Sequence, residues 1–145
     1  MDGVLKQARQ QGMLSQGAEV SVDSTGLESR HVSRHFLRRS GRMKRYRHWP
    51  KLTLVCESVT HLFAGAVIGM GPKNDSPDLP PAIREAAGRM QIGRVLADAA
   101  YDAEAHHRLC RETLEIPETL IPINPRAHPD AVPNTPYRHE MKRHF

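Results

Sequence analysis

Short apolar stretches along the chain predict a series of β-strands. Val20 and Val22 alternate with polar neighbours over 19–23, which is typical of a half-buried strand. Further strands are predicted over 52–56, 62–70, 94–98 and 119–123. The polar connection between the second and third strands, 57–61, is short, so we expect those two strands to pair antiparallel.

Helical spacing appears only after the third strand. Asp75 or Ser76 can cap a helix whose apolar residues recur every three or four positions and which Gly93 closes. Asp102 can cap a second helix over 103–114. Three strands followed by helix, strand, helix and strand indicate a mixed sheet with helices on its faces, in the α/β or α+β class.

The length of 145 residues fits one domain. We interpret 1–18 as a lead-in segment with room for a short helix, 19–124 as the folded core, and the Pro-rich stretch 125–145 as an irregular tail. No apolar run approaches the roughly 20 residues of a membrane span, so we expect a cytoplasmic protein with no membrane partner. Two cysteines, Cys56 and Cys110, are predicted to be free thiols.

Positive charge is concentrated between the first two strands. The chain carries 21 Lys and Arg against 16 Asp and Glu, and no acid occurs from 29 through 56. The basic residues of this stretch, here called the basic segment, are Arg30, Arg34, Arg38, Arg39, Arg42, Lys44, Arg45, Arg47 and Lys51. A polyanion screens such a run of like charge, so we predict a phosphate backbone as the partner; a solvated or disordered arm is the alternative.

Two acids end predicted strands. Asp23 closes the first strand and Asp98 the fourth, so both carboxylates would leave one sheet edge if those strands are neighbours. Carboxylate oxygens suit Mg²⁺ or Mn²⁺, and two such ions about 4 Å apart can clamp the reacting oxygens of a phosphodiester. The alternative is that both acids only cap turns.

Other polar residues are weaker candidates. Adjacent residues of a helix point in different directions, so His106 and His107 are expected to be a surface pair rather than a zinc site. His31 and His35 have ligand spacing, but the surrounding arginines disfavour a cation. Ser24 and Thr25 lack the partners of a nucleophile, so phosphate contact or turn formation is predicted for them.

Several motifs, in order along the chain, resemble those of insertion-sequence transposases of the DDE type. Val22-Asp23-Ser24-Thr25-Gly26-Leu27 resembles the first-acid motif, and Leu96-Ala97-Asp98-Ala99-Ala100-Tyr101-Asp102 resembles the second. Trp49-Pro50-Lys51-Leu52, Asn74-Asp75-Ser76-Pro77, Ile121-Pro122-Ile123-Asn124 and Pro136-Tyr137-Arg138 also resemble family stretches. The resemblance runs from about 19 to the C-terminus; Ala100 departs from it, since the family usually has Gly there.

The resemblance implies a ribonuclease H-like core. It implies metal-dependent DNA cleavage at the ends of a mobile element, followed by strand transfer into target DNA. Asp23 and Asp98 would be catalytic and would hold Mg²⁺ or Mn²⁺, with a two-metal site in the complete enzyme. Double-stranded DNA would be the partner, nucleoid association the location, and self-association stays open.

The third acid of the family follows the last strand in a signature of Tyr, Arg, Glu and Lys. Nothing around Glu140 matches that signature, so no third acid is assigned. We therefore interpret the chain as a fragment that lacks the C-terminal helix of the core and is inactive alone. The alternatives are a DNA-binding or regulatory remnant without catalysis and a non-functional remnant that barely folds.

Overall fold

The computed structural model describes residues 2–27, 49–124 and 133–145. Its centre is a five-stranded mixed sheet in the order β3-β2-β1-β4-β5. The strands are β1 (Ala18–Gly26), β2 (Trp49–Glu57), β3 (Phe63–Gly71), β4 (Ile92–Ala97) and β5 (Glu118–Leu120). The helices are α1 (Asp2–Gln10), α2 (Leu79–Arg89), α3 (Glu104–Arg108) and α4 (Pro136–His144). Shorter helical turns cover Ser76–Asp78, Ala99–Tyr101 and Leu109–Thr113.

Pairing directions follow the predicted order of elements. β1, β2 and β3 form an antiparallel meander, with Val22 opposite Val55 and Leu54 opposite Ala66. β4 returns from α2 and pairs parallel to β1, and β5 pairs parallel to β4. The mixed α/β sheet expected for a ribonuclease H-like core is therefore confirmed, with one helical crossover before each parallel strand.

The hydrophobic core lies between the sheet and α2. Val20 and Val22 on β1 alternate with more exposed neighbours, and they pack in one cluster with Ile83 of α2. Gly65 on β3 lets α2 approach closely, because a Cβ there would meet the α2 backbone. The register between β2 and β3 also shifts beside Gly65. Both observations agree with the bulge or close packing expected of a glycine within a strand.

Several element bounds differ from the sequence expectations. The lead-in segment contains the short helix for which the sequence left room, α1, and its Leu5 and Ala8 are buried. The stretch predicted as an irregular tail contains α4, which begins at Pro136 and buries Met141. Pro136 occupies the first turn, where a missing N–H costs nothing, so the proline content alone was misleading. The second predicted helix is confirmed as α3 continued by one wider turn to Thr113.

Two further expectations concern cysteines and membranes. Cys56 and Cys110 are free thiols, as predicted. In the part of the chain that the structure describes, no helix has the length and apolarity required to cross a membrane.

Candidate active site at the sheet edge

Asp23 and Asp98 come together at one edge of the sheet. In the parallel β1/β4 pair, Val22 lies opposite Ala97, and the two acids directly follow that pair. Neighbouring strands lie about 4.8 Å apart, so the two backbones are close where the acids project. Asp98 follows the end of β4, but Asp23 lies within β1, which continues to Gly26 along β2. Asp23 thus lies where β1 continues beyond the end of β4.

The two carboxylates share a face of the sheet. Asp23 is two residues beyond Ser21, and Asp98 is two residues beyond Leu96, the parallel partner of Ser21. Asp98 keeps an extended backbone with φ −78° and ψ 174°, so the alternation of side chains continues through it. Both acids are exposed. The pairing therefore places an exposed acid directly after each member of the last β1/β4 pair.

Each acid uses one oxygen to accept a local backbone hydrogen bond. Asp23 Oδ1 accepts from the Ser24 N–H at 2.7 Å, and Asp98 Oδ1 accepts from the Ala100 N–H at 2.9 Å. These bonds orient the carboxylates, and among the described residues no hydrogen bond to the second oxygen of either acid is found. Magnesium is commonly bound by one or two carboxylates plus phosphate oxygens, so this donor set fits the implied ion. Within the described ranges, no three His, Cys, Asp or Glu side chains gather into a larger metal-binding group.

A chain of hydroxyl groups lies behind the acids. Ser24 Oγ is 2.7 Å from Tyr101 Oη and 2.5 Å from Thr53 Oγ1. Thr53 and Tyr101 are fully buried, and burial raises the pKa of Tyr101. Sequence reasoning missed this cluster and assigned Ser24 to a turn or a phosphate contact; Ser24 instead lies in β1, where it pairs with Thr53. Thr53 and Tyr101 are 29 and 77 residues from Ser24 in sequence, so no local pattern predicts that their hydroxyls meet.

The hydroxyl chain ends on an ion-pair cluster whose inner members, Lys51 and Asp78, are buried. Thr53 Oγ1 donates to Asp78 Oδ2 at 3.4 Å, and Lys51 Nζ donates to the same oxygen at 3.0 Å. Lys73 Nζ lies 2.9 Å from Asp78 Oδ1, and Asp75 forms a second ion pair with Lys51. Burial would raise the pKa of Asp78, but the two lysines outweigh it and lower that pKa below its ordinary range.

This cluster corrects two expectations. Lys51 was assigned to the DNA-contacting basic segment, but it is 5% exposed and its ammonium group is held within the fold by Asp75 and Asp78. A buried and paired charge is not free to meet a phosphate. Asp75 was expected to cap a helix; its carboxylate pairs with Lys51 and makes no capping hydrogen bond.

Asp102 also differs from its predicted role. Its carboxylate does not cap α3 but accepts two hydrogen bonds from the Arg138 guanidinium, at 2.7 and 2.8 Å. It also accepts the Asn124 N–H at 2.9 Å, and its side chain is 2% exposed. Asp102 therefore ties α4 to the turn that follows Asp98. The matching geometry of carboxylate and guanidinium explains a contact that spans 36 residues.

The adjacent histidines are buried, not a surface pair. His106 Nδ1 donates to the Tyr101 carbonyl at 2.7 Å, and His107 Nδ1 lies 2.7 Å from Thr119 Oγ1. Burial lowers the pKa of His107, so its ring is neutral near pH 7. The predicted exposure was wrong, because the His107 ring stacks on Tyr137 of α4 and contacts Thr119 of β5.

The remaining candidates are placed as follows. Glu140, left unassigned above, is paired in a bidentate manner with Arg111 at 2.8 and 3.0 Å. The pair His31 and His35 lies outside the described residues, as do all members of the basic segment except Lys51: Arg30, Arg34, Arg38, Arg39, Arg42, Lys44, Arg45 and Arg47.

Comparisons with known proteins identify a similar fold and a family. A solved structure titled "Cryo-EM structure of piggyBac transposase synaptic complex with hairpin DNA (SNHP)" is similar, with a TM-score of 0.51 and 13% identity. The similarity covers 81% of this chain but 25% of that one, so the chain spans about a quarter of that transposase. No curated protein matches the sequence. The family model "Transposase DDE domain" matches residues 15–144. The chain therefore belongs to the transposase DDE domain family.

Proposed function

We propose that Asp23 and Asp98 are the metal-binding carboxylates of a transposase core that cleaves DNA and transfers the freed strand during transposition of an insertion sequence. The observation that carries the proposal is the β1/β4 register, in which Val22 faces Ala97 and an acid follows each. Capping of turns alone would not require the two acids to share a face. Membership of the family supports the same reaction class.

The proposed chemistry follows from what the two carboxylates can hold. Mg²⁺ or Mn²⁺ bound there would neutralise phosphate charge and activate the attacking oxygen. Asp23 and Asp98 would hold the ion against one phosphodiester, so that a water oxygen bonds to phosphorus, the P–O3′ bond breaks, and a 3′ hydroxyl and a 5′ phosphate result. The same hydroxyl would then attack a target phosphodiester and release another 3′ oxygen. Positioning and charge neutralisation supply most of the rate in phosphoryl transfer.

Double-stranded DNA is the proposed substrate and partner. The stretch 28–48, with eight of the nine basic residues, joins the end of β1 to the start of β2. That junction is the Gly26/Lys51 pair, three residues beyond Asp23 on the same strand. Chain connectivity thus attaches the positive charge near the carboxylates, and the similar transposase structure is itself a complex with hairpin DNA.

Calorimetric titration with Mn²⁺ tests the carboxylate pair. We expect Asp23→Asn and Asp98→Asn each to weaken Mn²⁺ binding by at least tenfold, because each removes one of two anionic ligands. Asp2→Asn is the matched control, since Asp2 is an exposed α1 residue that bonds Arg89. Equal affinities for the wild type and both site variants would refute the proposal.

DNA binding without catalysis is the second candidate, favoured by the charge of the basic segment. Two measurements on plasmid DNA separate the candidates: nicking in Mn²⁺ and the salt dependence of binding. Nicking that disappears in Asp23→Asn supports the transposase core. Steeply salt-dependent binding without nicking supports the second candidate. Replacing Arg38, Arg39 and Arg42 by Gln should flatten the salt slope; an unchanged slope would exclude them as phosphate contacts.

A further inference from the structure

A hydroxyl bridge joins the two acid-bearing segments. Ser24 directly follows Asp23, and Tyr101 is three residues beyond Asp98; their hydroxyl oxygens are 2.7 Å apart. The parallel ladder between β1 and β4 ends at Val22 and Ala97, so it stops just before the acids. Among the hydrogen bonds of the described residues, the Ser24–Tyr101 bond is the one that connects the two segments beyond that point.

The buried end of the hydroxyl chain determines which group donates in each hydrogen bond. The Asp78 carboxylate is ionised and can only accept, so Thr53 donates its proton to Asp78. Each hydroxyl has one proton, so Ser24 then donates to Thr53, and Tyr101 donates to Ser24. All three hydroxyls therefore have a defined orientation, and such chains of hydrogen bonds reinforce one another in a low-dielectric interior.

The buried end of the bridge is held by two lysines. Asp78 is 5% exposed and receives Lys51 on one oxygen and Lys73 on the other. Thr53 and Tyr101 are 0% exposed, so no solvent molecule can replace a lost partner without entering the core. Because an unpaired buried hydroxyl is costly, the network resists sliding of the turn Ala99–Tyr101 along β1.

We propose that Tyr101 and Ser24 are positioning residues that fix the separation of Asp23 and Asp98 through this bridge. Without the bridge, the segment after Ala97 keeps its contacts with Asn124 and Arg138 but loses its hydroxyl bond to β1, so the separation of the two carboxylates is less tightly fixed. The consequence for metal affinity rests on the proposed function, whereas the coupling of the two segments does not.

The test compares two Tyr→Phe variants of the full chain. Tyr101→Phe removes the bridge, and Tyr137→Phe is the matched control because its hydroxyl bonds Glu112 at the surface. Without metal, we expect amide hydrogen exchange at Ser24 and Ala100 to accelerate about tenfold in Tyr101→Phe and to stay unchanged in Tyr137→Phe. With Mn²⁺, followed by electron paramagnetic resonance, Tyr101→Phe should bind about tenfold more weakly, the usual scale for supporting residues.

A second pair of variants guards against a folding defect. Ser24→Ala should reproduce both effects of Tyr101→Phe, and Ser24→Thr, which keeps a hydroxyl, should restore wild-type exchange and affinity. If Tyr101→Phe does not fold, the Ser24 pair alone decides, and identical behaviour of Ala and Thr at this position overturns the proposal. Unchanged exchange at Ser24 and Ala100 in a folded Tyr101→Phe also overturns it.

The outcomes also separate this inference from the function on which it rests. If exchange responds to Tyr101→Phe, but Asp23→Asn and Asp98→Asn both bind Mn²⁺ as the wild type does, the positioning bridge is supported and the metal site is refuted. If Asp23→Asn loses Mn²⁺ while Tyr101→Phe retains full affinity and protection, the metal site is supported and the bridge is refuted.

Discussion

Replacing Lys51 with Met should destabilise the fold far more than an ordinary lysine substitution. The Lys51 ammonium is 3.0 Å from Asp78 Oδ2, pairs with Asp75 and lies 3.3 Å from the Asn74 carbonyl. The Lys51 and Asp78 side chains are only 6% and 7% exposed. Removing one partner of a buried pair costs about 3–5 kcal/mol. Because Lys73 remains on Asp78 and Met fills similar volume, we expect about 3 kcal/mol.

Urea denaturation at pH 7 measures this loss, with Lys73→Met as the control. Lys73 pairs with the same carboxylate, but its side chain is 43% exposed, so its loss should cost at most about 1 kcal/mol. The slope of free energy against urea should be the same in all three proteins, since the surface exposed on unfolding is the same. Equal losses in the two lysine variants would refute the assignment of Lys51 as a buried ion-pair partner.

The pH dependence of the Lys51→Met effect gives an independent check. The pKa of Asp78 is lowered in the fold, so its contribution is complete above its ordinary value of 3.8 and is lost as pH falls through the folded value. The pKa of Lys51 is raised by its hydrogen bonds to Asp75 and Asp78, which outweigh burial. Its contribution is complete below 10.5 and is lost as pH rises through the folded value. The difference in free energy of unfolding between wild type and Lys51→Met should therefore be largest between pH 3.8 and pH 10.5 and shrink outside that range. A difference that grows in acid would contradict this.

Three smaller predictions concern packing, a turn and the thiols. Gly65→Ala should lower the free energy of unfolding by about 2 kcal/mol, because the added Cβ meets the α2 backbone. Gly88 lies at the open surface of α2, so Gly88→Ala should raise the free energy of unfolding by about 0.5 kcal/mol. Thermal unfolding distinguishes the two signs. Glu57 accepts three hydrogen bonds in the β2–β3 turn, and these outweigh burial and lower its pKa. Glu57→Gln should therefore lower the free energy of unfolding by about 1.5 kcal/mol at pH 7 and leave it unchanged below the folded pKa of Glu57. Burial raises the pKa of Cys110 to about 12, so a thiol reagent at pH 8 should react with Cys110 only after unfolding and reach half-buried Cys56 first; rapid reaction of both would contradict its burial.

The order of elements could be predicted from local patterns. Alternation at Val20 and Val22 is a property of one strand, and the apolar spacing of α2 is a property of one helix, so neither needs long-range information. The acids were found in the same way, since each follows an apolar run. The helix α4 was missed because its amphipathic signal is weak and prolines precede it; burial of Met141 and the contacts of Glu104 with its first amides stabilise it instead.

The roles of buried polar residues could not be predicted. Asp75 and Asp102 occur where helix caps are common, and a cap is the better interpretation whenever no distant partner is known. Their actual partners, Lys51 and Arg138, are 24 and 36 residues away in sequence. His107 was misplaced for the same reason, because exposure depends on which elements cover α3.

The sequence by itself determined the family resemblance, the alternation of strands and helices, and the identity of the two acids as candidates. These features depend on residues that are neighbours along the chain. Only the tertiary structure decided that Asp23 and Asp98 share one face, because strand register depends on pairing between distant segments. It also decided that Lys51 lies within the core and that Tyr101 reaches Ser24, since contacts between distant residues arise only when the sheet and its helices are assembled.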